Sequence, residues 1–142
     1  MISKWARIEE LELKPLVVPD KSPATRTRIQ AKETEMVQEK LQKLKTSAST
    51  SLYLLDETGK PRTTQDWAKL LESAKNNGAG SGDIIFGIAS SLGWSATLKK
   101  EAKSLISFGP QTLSHELAKV VLLEQLYRAM SVIEGHPYHH EG

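Results

Sequence analysis

Residues 109–140 read GPQTLSHELAKVVLLEQLYRAMSVIEGHPYHH, and this stretch decides how the rest of the chain is organised. A turn-forming Gly109-Pro110 leads into a long helix. Ser114 is placed to cap it, Glu116 complements its positive N-terminal end, and Gly135 supplies a left-handed exit. Between those signals Leu117, Ala118, Val120, Val121, Leu122, Leu123, Leu126, Tyr127, Ala129, Met130, Val132 and Ile133 leave only a narrow polar stripe through Glu124, Arg128 and Ser131. A helix apolar nearly all round must be buried nearly all round. One core in a chain this small covers only part of that circumference, so a second copy, most simply in a two-fold dimer, is expected to cover the rest. A central helix in a monomeric core is the alternative.

The chain has 142 residues, 39% of them hydrophobic and 25% charged, which suits a single domain spanning 1–142 with a core of its own. It contains no cysteine, so disulfides and thiolate metal sites are excluded. No apolar run reaches membrane-spanning length and the N-terminus lacks the hydrophobic core of a secretory signal, so the expectation is a soluble protein without a membrane partner. The formal charge of +2 permits an anionic partner without requiring one.

Upstream of the long helix, strands and helices alternate. Ile8–Val18 suits a strand, an edge or irregular one because of Pro15. Pro23–Arg28, with Arg26, Arg28 and nearby Lys21, is a basic lead-in, most simply the solvated start, of a surface helix over Ile29–Lys45, whose apolar face is Ile29, Met36, Val37, Leu41 and Leu44. Leu52–Leu55 reads as a short strand running straight into a turn over Asp56–Pro61. Thr63 and Asp66 form a capping-box-like start for a helix through Trp67, Leu70, Leu71 and Ala74, and Asn76–Gly82 breaks it. Ile84–Ile88 is apolar on both faces, as expected of a central strand in a covered parallel sheet. The small-residue loop Ala89–Trp94 follows. Ser95 caps a helix to about Ser104, and Ile106–Phe108 reads as the last strand. The fold class is therefore α/β with a mostly parallel sheet.

In open sheets of this kind ligands sit beyond the carboxyl ends of the strands. Three segments qualify: Leu55–Gly59, Ala89–Gly93 and Phe108–Leu113. None has the spacing of a phosphate-cradling loop or a dinucleotide fingerprint. The tail His136-Pro137-Tyr138-His139-His140 has three readings. As a metal site it lacks a partner carboxylate at ligand spacing, so no metal is expected. It is otherwise a flexible end, or a substrate-contacting tail whose imidazole and phenol groups meet phosphates and bases. Neither a Ser-His-Asp arrangement nor a catalytic carboxylate pair can be argued from the residues; Glu9, Glu10 and Glu124 read as solvated or helix-surface groups.

The final helix and tail resemble the C-terminal signature of the RlmH-type large-subunit ribosomal RNA pseudouridine methyltransferases, members of the SPOUT superfamily. The matching residues are Thr112-Leu113, His115, Glu124, Leu126-Tyr127-Arg128-Ala129 and Pro137-Tyr138-His139. The similarity continues upstream through Leu54-Leu55-Asp56, Gly59-Lys60, the Trp67 helix and the Ile84–Gly93 strand and loop. The resemblance implies a trefoil-knotted α/β fold, a homodimer crossed by the final helix, and S-adenosylmethionine as cofactor. It places the methyl donor against Leu55, Ala89 and the backbone of Phe108, Gly109, Pro110, Gln111, Thr112 and Leu113. It places Arg128, Tyr138 and His139 toward RNA, across the dimer interface. The implied reaction is methyl transfer to N3 of a pseudouridine in assembled ribosomes, in the cytoplasm or in a plastid, and no residue is singled out as the general base.

The chain departs from that pattern at three places. Family members usually carry Gly-Gly where this chain has Ala89-Ser90, and the added methyl group is expected to narrow or shift the donor pocket. They carry proline where this chain has Ser114. They also begin with a strand and a helix before the segment matching Ile2–Val18, and their loss is expected to expose apolar surface and an unpaired sheet edge. A homologue that keeps the dimer and ribosome contact while binding the donor poorly is the alternative function.

Overall fold

A computed structural model of the chain describes Leu13, Leu16 and residues 19–44, 50–76 (backbone only for 74–76), 84–89, 92–109, 111 and 113–135. Three parallel strands lie in the order β2-β1-β3. They are β1 (Ser51–Pro61), β2 (Ile84–Ile88) and β3 (Ser104–Ser107). Helix α1 (Pro23–Leu44) precedes them, α2 (Thr64–Asn76) joins β1 to β2, α3 (Ala96–Glu101) joins β2 to β3, and α4 (His115–Ile133) follows β3.

The period-two alternation of the strands divides the core into two layers, one on each face of the sheet. Leu52 and Leu54 of β1 meet Leu41 of α1 and Leu98 of α3, with Val37, Ile85, Trp94 and Leu105 packed around them. Tyr53 and Ile106 meet Trp67, Ala68, Leu70 and Leu71 of α2 and Leu122, Leu126, Ala129 and Met130 of α4. Leu54 and Ile106 have no exposed surface and Trp67 only 1%. Rings join the strands to α2 on this face: Phe86 lies 5.7 Å from Tyr53 and 5.6 Å from Trp67. A hydrogen bond of 2.9 Å from Thr64 Oγ1 to Gln125 Oε1 ties α2 to α4.

Most helix ends follow the sequence signals. The Thr63 amide donates to Asp66 Oδ2 and the Asp66 amide to Thr63 Oγ1, both at 3.0 Å, which is the reciprocal box expected there. Ser95 caps α3 and Ser114 caps α4, each accepting the amide three residues on. Gly135 leaves α4 with φ +70°.

Three expectations need correction, whereas helix α1 begins at Pro23, in agreement with the reading of Pro23–Arg28 as a solvated helix start. Ser22 Oγ accepts the Thr25 amide at 3.2 Å, and Pro23 occupies the first helical position, where a missing N–H costs nothing. The stretch Asp56–Pro61 is the continuation of β1 rather than a turn that ends it. Leu55 and Lys60 both pair with Ile106, so the residues between them bulge and the ladder then resumes with Pro61 opposite Ser107. Gly59 permits this, since a Cβ there would lie 2.6 Å from the Leu105 carbonyl carbon. β1, not Ile84–Ile88, is the central strand of the described sheet; β2 is covered on both faces as expected but pairs only with β1 among the described residues. The third helix ends at Glu101 instead of about Ser104, because Ala102 takes an extended conformation and β3 starts at Ser104. Of the expected Ile8–Val18 strand only Leu13 and Leu16 are described, and neither is in a strand. Leu13 borders a shallow hollow on α1 with Met36, Glu39, Lys40 and Lys43.

The final helix buries one face in this chain: Ala118, Leu122, Leu126, Ala129, Met130 and Ser131. Leu117 and Val120 remain 49% and 59% exposed. The all-round apolar surface read from the sequence is therefore only partly covered by the protomer itself.

Candidate active site

Leu55, inside β1, is paired with Ile88, the last residue of β2, on one side and with Ile106 on the other. Ala89 therefore leaves β2 beside Leu55, whereas Phe108 leaves β3 after Ser107, which pairs with Pro61 at the end of β1. The register thus sets Leu55 and Ala89 side by side, with Phe108 further along in the same direction. Leu55 is buried and Ala89 and Phe108 are half-buried.

Each of these backbone segments is held by a side chain. The Trp94 indole N–H donates to the Leu55 carbonyl at 3.0 Å. His115 Nδ1 lies 3.4 Å from the Ala89 carbonyl, joining the first turn of α4 to the end of β2. Ser107, buried beneath the strand end, donates its hydroxyl to the Gly109 carbonyl at 2.8 Å and accepts the Gly109 amide at 2.9 Å. That closed pair of bonds fixes Gly109 at φ +112°, a conformation glycine takes without strain. Phe108 stacks on Trp67 with ring centroids 6.2 Å apart. These backbone segments are therefore anchored in the core.

Gly87 has a separate role on the other face of β2. A Cβ at this position would lie 2.7 Å from Leu54 Cδ2 and 2.9 Å from Trp94 Cζ2, so the missing side chain makes the space in which the Trp94 ring lies. The indole in turn reaches the Leu55 carbonyl. One small residue inside a strand thereby sets a contact at the site.

Asp56, the residue after Leu55, accepts from the Thr58 amide at 3.0 Å and from the Thr58 hydroxyl, and pairs with Lys99 of α3 at 3.5 Å. Its side chain is 9% exposed. Burial pushes its carboxyl up, but the Thr58 hydrogen bonds and the Lys99 charge outweigh it and hold the group below the ordinary carboxylate range. A carboxylate so stabilised is a weak base and a firm strap between β1 and α3.

Of the remaining expected residues, Gln111 is exposed and Leu113 half-buried, while Pro110 and Thr112 lie outside the described residues. Arg128 is separated from the strand ends along α4 and pairs with Glu124 at 2.7 Å. Tyr138 and His139 lie outside the described residues. Among the described residues no three His, Asp or Glu side chains are grouped as a metal site, and no helix is long and apolar enough to cross a membrane. Trp94 and Ser107 were not expected at the site. A serine two residues before a glycine is a local signal for the turn that Ser107 makes, whereas nothing local announces the Trp94 contact.

A parallel sheet covered on both faces defines an α/β protein, a class in which ligands sit outside the carboxyl ends of the strands. The family described as "Predicted SPOUT methyltransferase" matches residues 1–139. The chain is 37% identical over 140 residues to a protein of Lactobacillus delbrueckii subsp. bulgaricus named ribosomal RNA large subunit methyltransferase H, covering 97% of this chain and 83% of that one. A Streptococcus gordonii protein of the same name is 36% identical over 139 residues with the same coverage. One from Koribacter versatilis is 46% identical over 88 residues, covering 62% of this chain and 59% of its own. The chain belongs to the SPOUT methyltransferase family.

Proposed function

We propose that this protein is an S-adenosylmethionine-dependent methyltransferase acting on N3 of a pseudouridine in large-subunit ribosomal RNA of the assembled ribosome. The observation that carries the reading is a SPOUT-family chain in which Leu55 lies beside the carboxyl end of β2 at Ile88-Ala89, and Phe108 leaves the carboxyl end of β3 on the same side of the sheet. The names of its bacterial relatives support the RNA substrate, and the cytoplasm is the compartment assigned with it.

The residues fit the donor by the chemistry they offer. Leu55, Ile88, Phe108 and Leu113 supply apolar surface for a flat ring, the backbone at Leu55 and Ala89 supplies acceptors, and space opens beside Gly109, where a Cβ would meet nothing within 4 Å. A ligand without phosphates needs no cationic cradle. Bound S-adenosylmethionine would supply a methyl group on a sulfonium, which the ring nitrogen takes with loss of its imino proton. This chain's part is to position and to exclude water. Ser107 and Trp67 fix the Phe108-Gly109 wall, Trp94 fixes β1 at Leu55, and His115 joins α4 to the end of β2, so the reactants are held without reorganisation.

Arg128, Tyr138 and His139 are assigned to the RNA, and the pair of copies needed to bring the tail to the site is assigned to α4. The exposed Leu117 and Val120 support that homodimer, and family membership supports the trefoil knot. The experiment is calorimetric titration of the folded chain with S-adenosylmethionine, followed by methylation of assembled ribosomes with and without the target pseudouridine. Micromolar donor binding and pseudouridine-dependent methylation are expected. A folded dimer that binds no donor would establish the non-catalytic alternative.

A further inference from the structure

Helix α1 is joined by side-chain hydrogen bonds to the limb that returns from Ala89, one of the residues assigned to the donor, to α3. That loop leaves β2 at Ala89, whose carbonyl faces His115, and returns at Leu92–Ser95 before α3. On the returning side the Gln30 side-chain amide donates to the Leu92 carbonyl at 3.1 Å, with the Gly93 carbonyl at 3.5 Å. One turn further along α1, Thr34 Oγ1 lies 2.9 Å from the Gln30 carbonyl and 2.7 Å from Ser95 Oγ. Each hydroxyl has one proton. The arrangement that satisfies every group runs in one direction: the Leu98 amide donates to Ser95 at 3.3 Å, Ser95 donates to Thr34, and Thr34 donates to the Gln30 carbonyl.

Thr34 is 8% exposed and sits on the buried face of α1 where the hydrophobic pattern would place an apolar residue. A buried hydroxyl is tolerated only with its partners, so this pair specifies the position of α1 against the loop more sharply than apolar packing does. On its opposite side the same segment is held by the Trp94 indole on the Leu55 carbonyl. The returning limb is thus clamped between α1 and β1.

We propose that Gln30 and Thr34 are positioning residues for the methyl-donor site, setting donor affinity by holding the Ala89–Ser95 loop in place. The proposal rests on the donor assignment above. Losing either contact frees the loop to move away from Leu55 without altering the residues assigned to the donor. The loss should therefore appear in the donor's affinity and KM, not in the turnover rate at saturating donor.

The test uses the full-length chain and the variants Thr34→Val, Thr34→Ser and Gln30→Glu. Valine keeps the shape without the hydroxyl, serine keeps the hydroxyl, and glutamate turns the amide donor into an acceptor facing two carbonyls. Amide hydrogen exchange over Gly93–Leu98 reads the loop, calorimetry with S-adenosylmethionine reads affinity, and methylation kinetics separate KM from kcat. Thr34→Val and Gln30→Glu are expected to speed exchange and weaken donor binding about tenfold with kcat retained, and Thr34→Ser to restore both. Unchanged exchange overturns the proposal, as does faster exchange with unchanged affinity. A wild-type chain that binds no donor overturns the donor assignment and this proposal with it, whereas equal binding by wild type and variants overturns this proposal alone.

Discussion

Replacing Gly87 by alanine tests the architecture at its tightest point. The new methyl carbon would lie 2.7 Å from Leu54 Cδ2 and 2.9 and 3.2 Å from Trp94 Cζ2 and Cη2, well inside the roughly 3.5–4.0 Å of a relaxed carbon contact. Leu54 has no exposed surface and so no free space to swing into, and the Trp94 ring is rigid and tethered to the Leu55 carbonyl. Overpacking of this kind costs about 1–3 kcal/mol. If the indole moves off its carbonyl, a further cost of about 1 kcal/mol follows. Urea unfolding of Gly87→Ala should therefore show a loss of about 2–4 kcal/mol, with donor affinity falling as the Trp94 bond is broken. The contact can be isolated by repeating the substitution in a Trp94→Leu background, where one of the two obstructions is gone and the cost should shrink by at least about 1 kcal/mol. A Gly87→Ala chain within about 0.5 kcal/mol of wild type, or one whose loss is the same in both backgrounds, would refute the reasoning.

Four further outcomes are expected. Val120→Asp, at a site 59% exposed in the protomer, should leave the protomer folded but shift sedimentation from dimer to monomer; an unchanged dimer would remove α4 from the interface. Truncation after Pro137 should preserve dimerisation and donor binding while abolishing methylation, and unaltered methylation would end the RNA-facing role of Tyr138 and His139. Exchanging Ala89-Ser90 for Gly-Gly should tighten S-adenosylmethionine binding in a calorimetric titration, whereas equal affinity would show that the methyl group does not reach the donor. Because the folded Asp56 carboxyl titrates below its unfolded value, its stabilisation is complete above about pH 4 and fades as pH falls through the depressed folded value; Asp56→Asn should flatten that acid limb of the stability curve, and a parallel limb would contradict the assignment.

What could be read in advance was what local chemistry dictates. Ser95 and Ser114 cap as their side chains allow, Thr63 and Asp66 close their box, and Gly135 stops α4. The ends of β2 and β3 near Ala89 and Phe108 were legible because apolar runs mark strands, whereas Leu55 is not an end of β1. Lateral order was not legible. Ile84–Ile88 carries the pattern of a strand covered on both faces, and that pattern does not say how many neighbours pair with its edges. The bulge in β1 is a property of two strands, set by Gly59 against the Leu105 backbone, so Asp56–Pro61 read alone looks like a turn. The start of α1 was legible in Pro23 and the cations after it, which suit the solvated first turns of a helix. Contacts such as Trp94 with Leu55 or Thr34 with Ser95 join residues distant in the chain, and no local periodicity encodes them.

The strand order has a consequence for how the chain is made. β1 is the central strand of the described sheet, yet both of its partners are encoded after it, β2 first and β3 later still. As the protein emerges from the ribosome, Leu52, Tyr53, Leu54 and Leu55 lack both of these partners until Ile84–Ile88 has left the tunnel, and lack one of them until Ile106 follows. Closure of loops this long is slow compared with helix formation, and an unpaired apolar strand is a template for association. The nascent chain is therefore most vulnerable to aggregation between synthesis of β1 and synthesis of β3, and conditions that slow translation across that interval should lower its soluble yield.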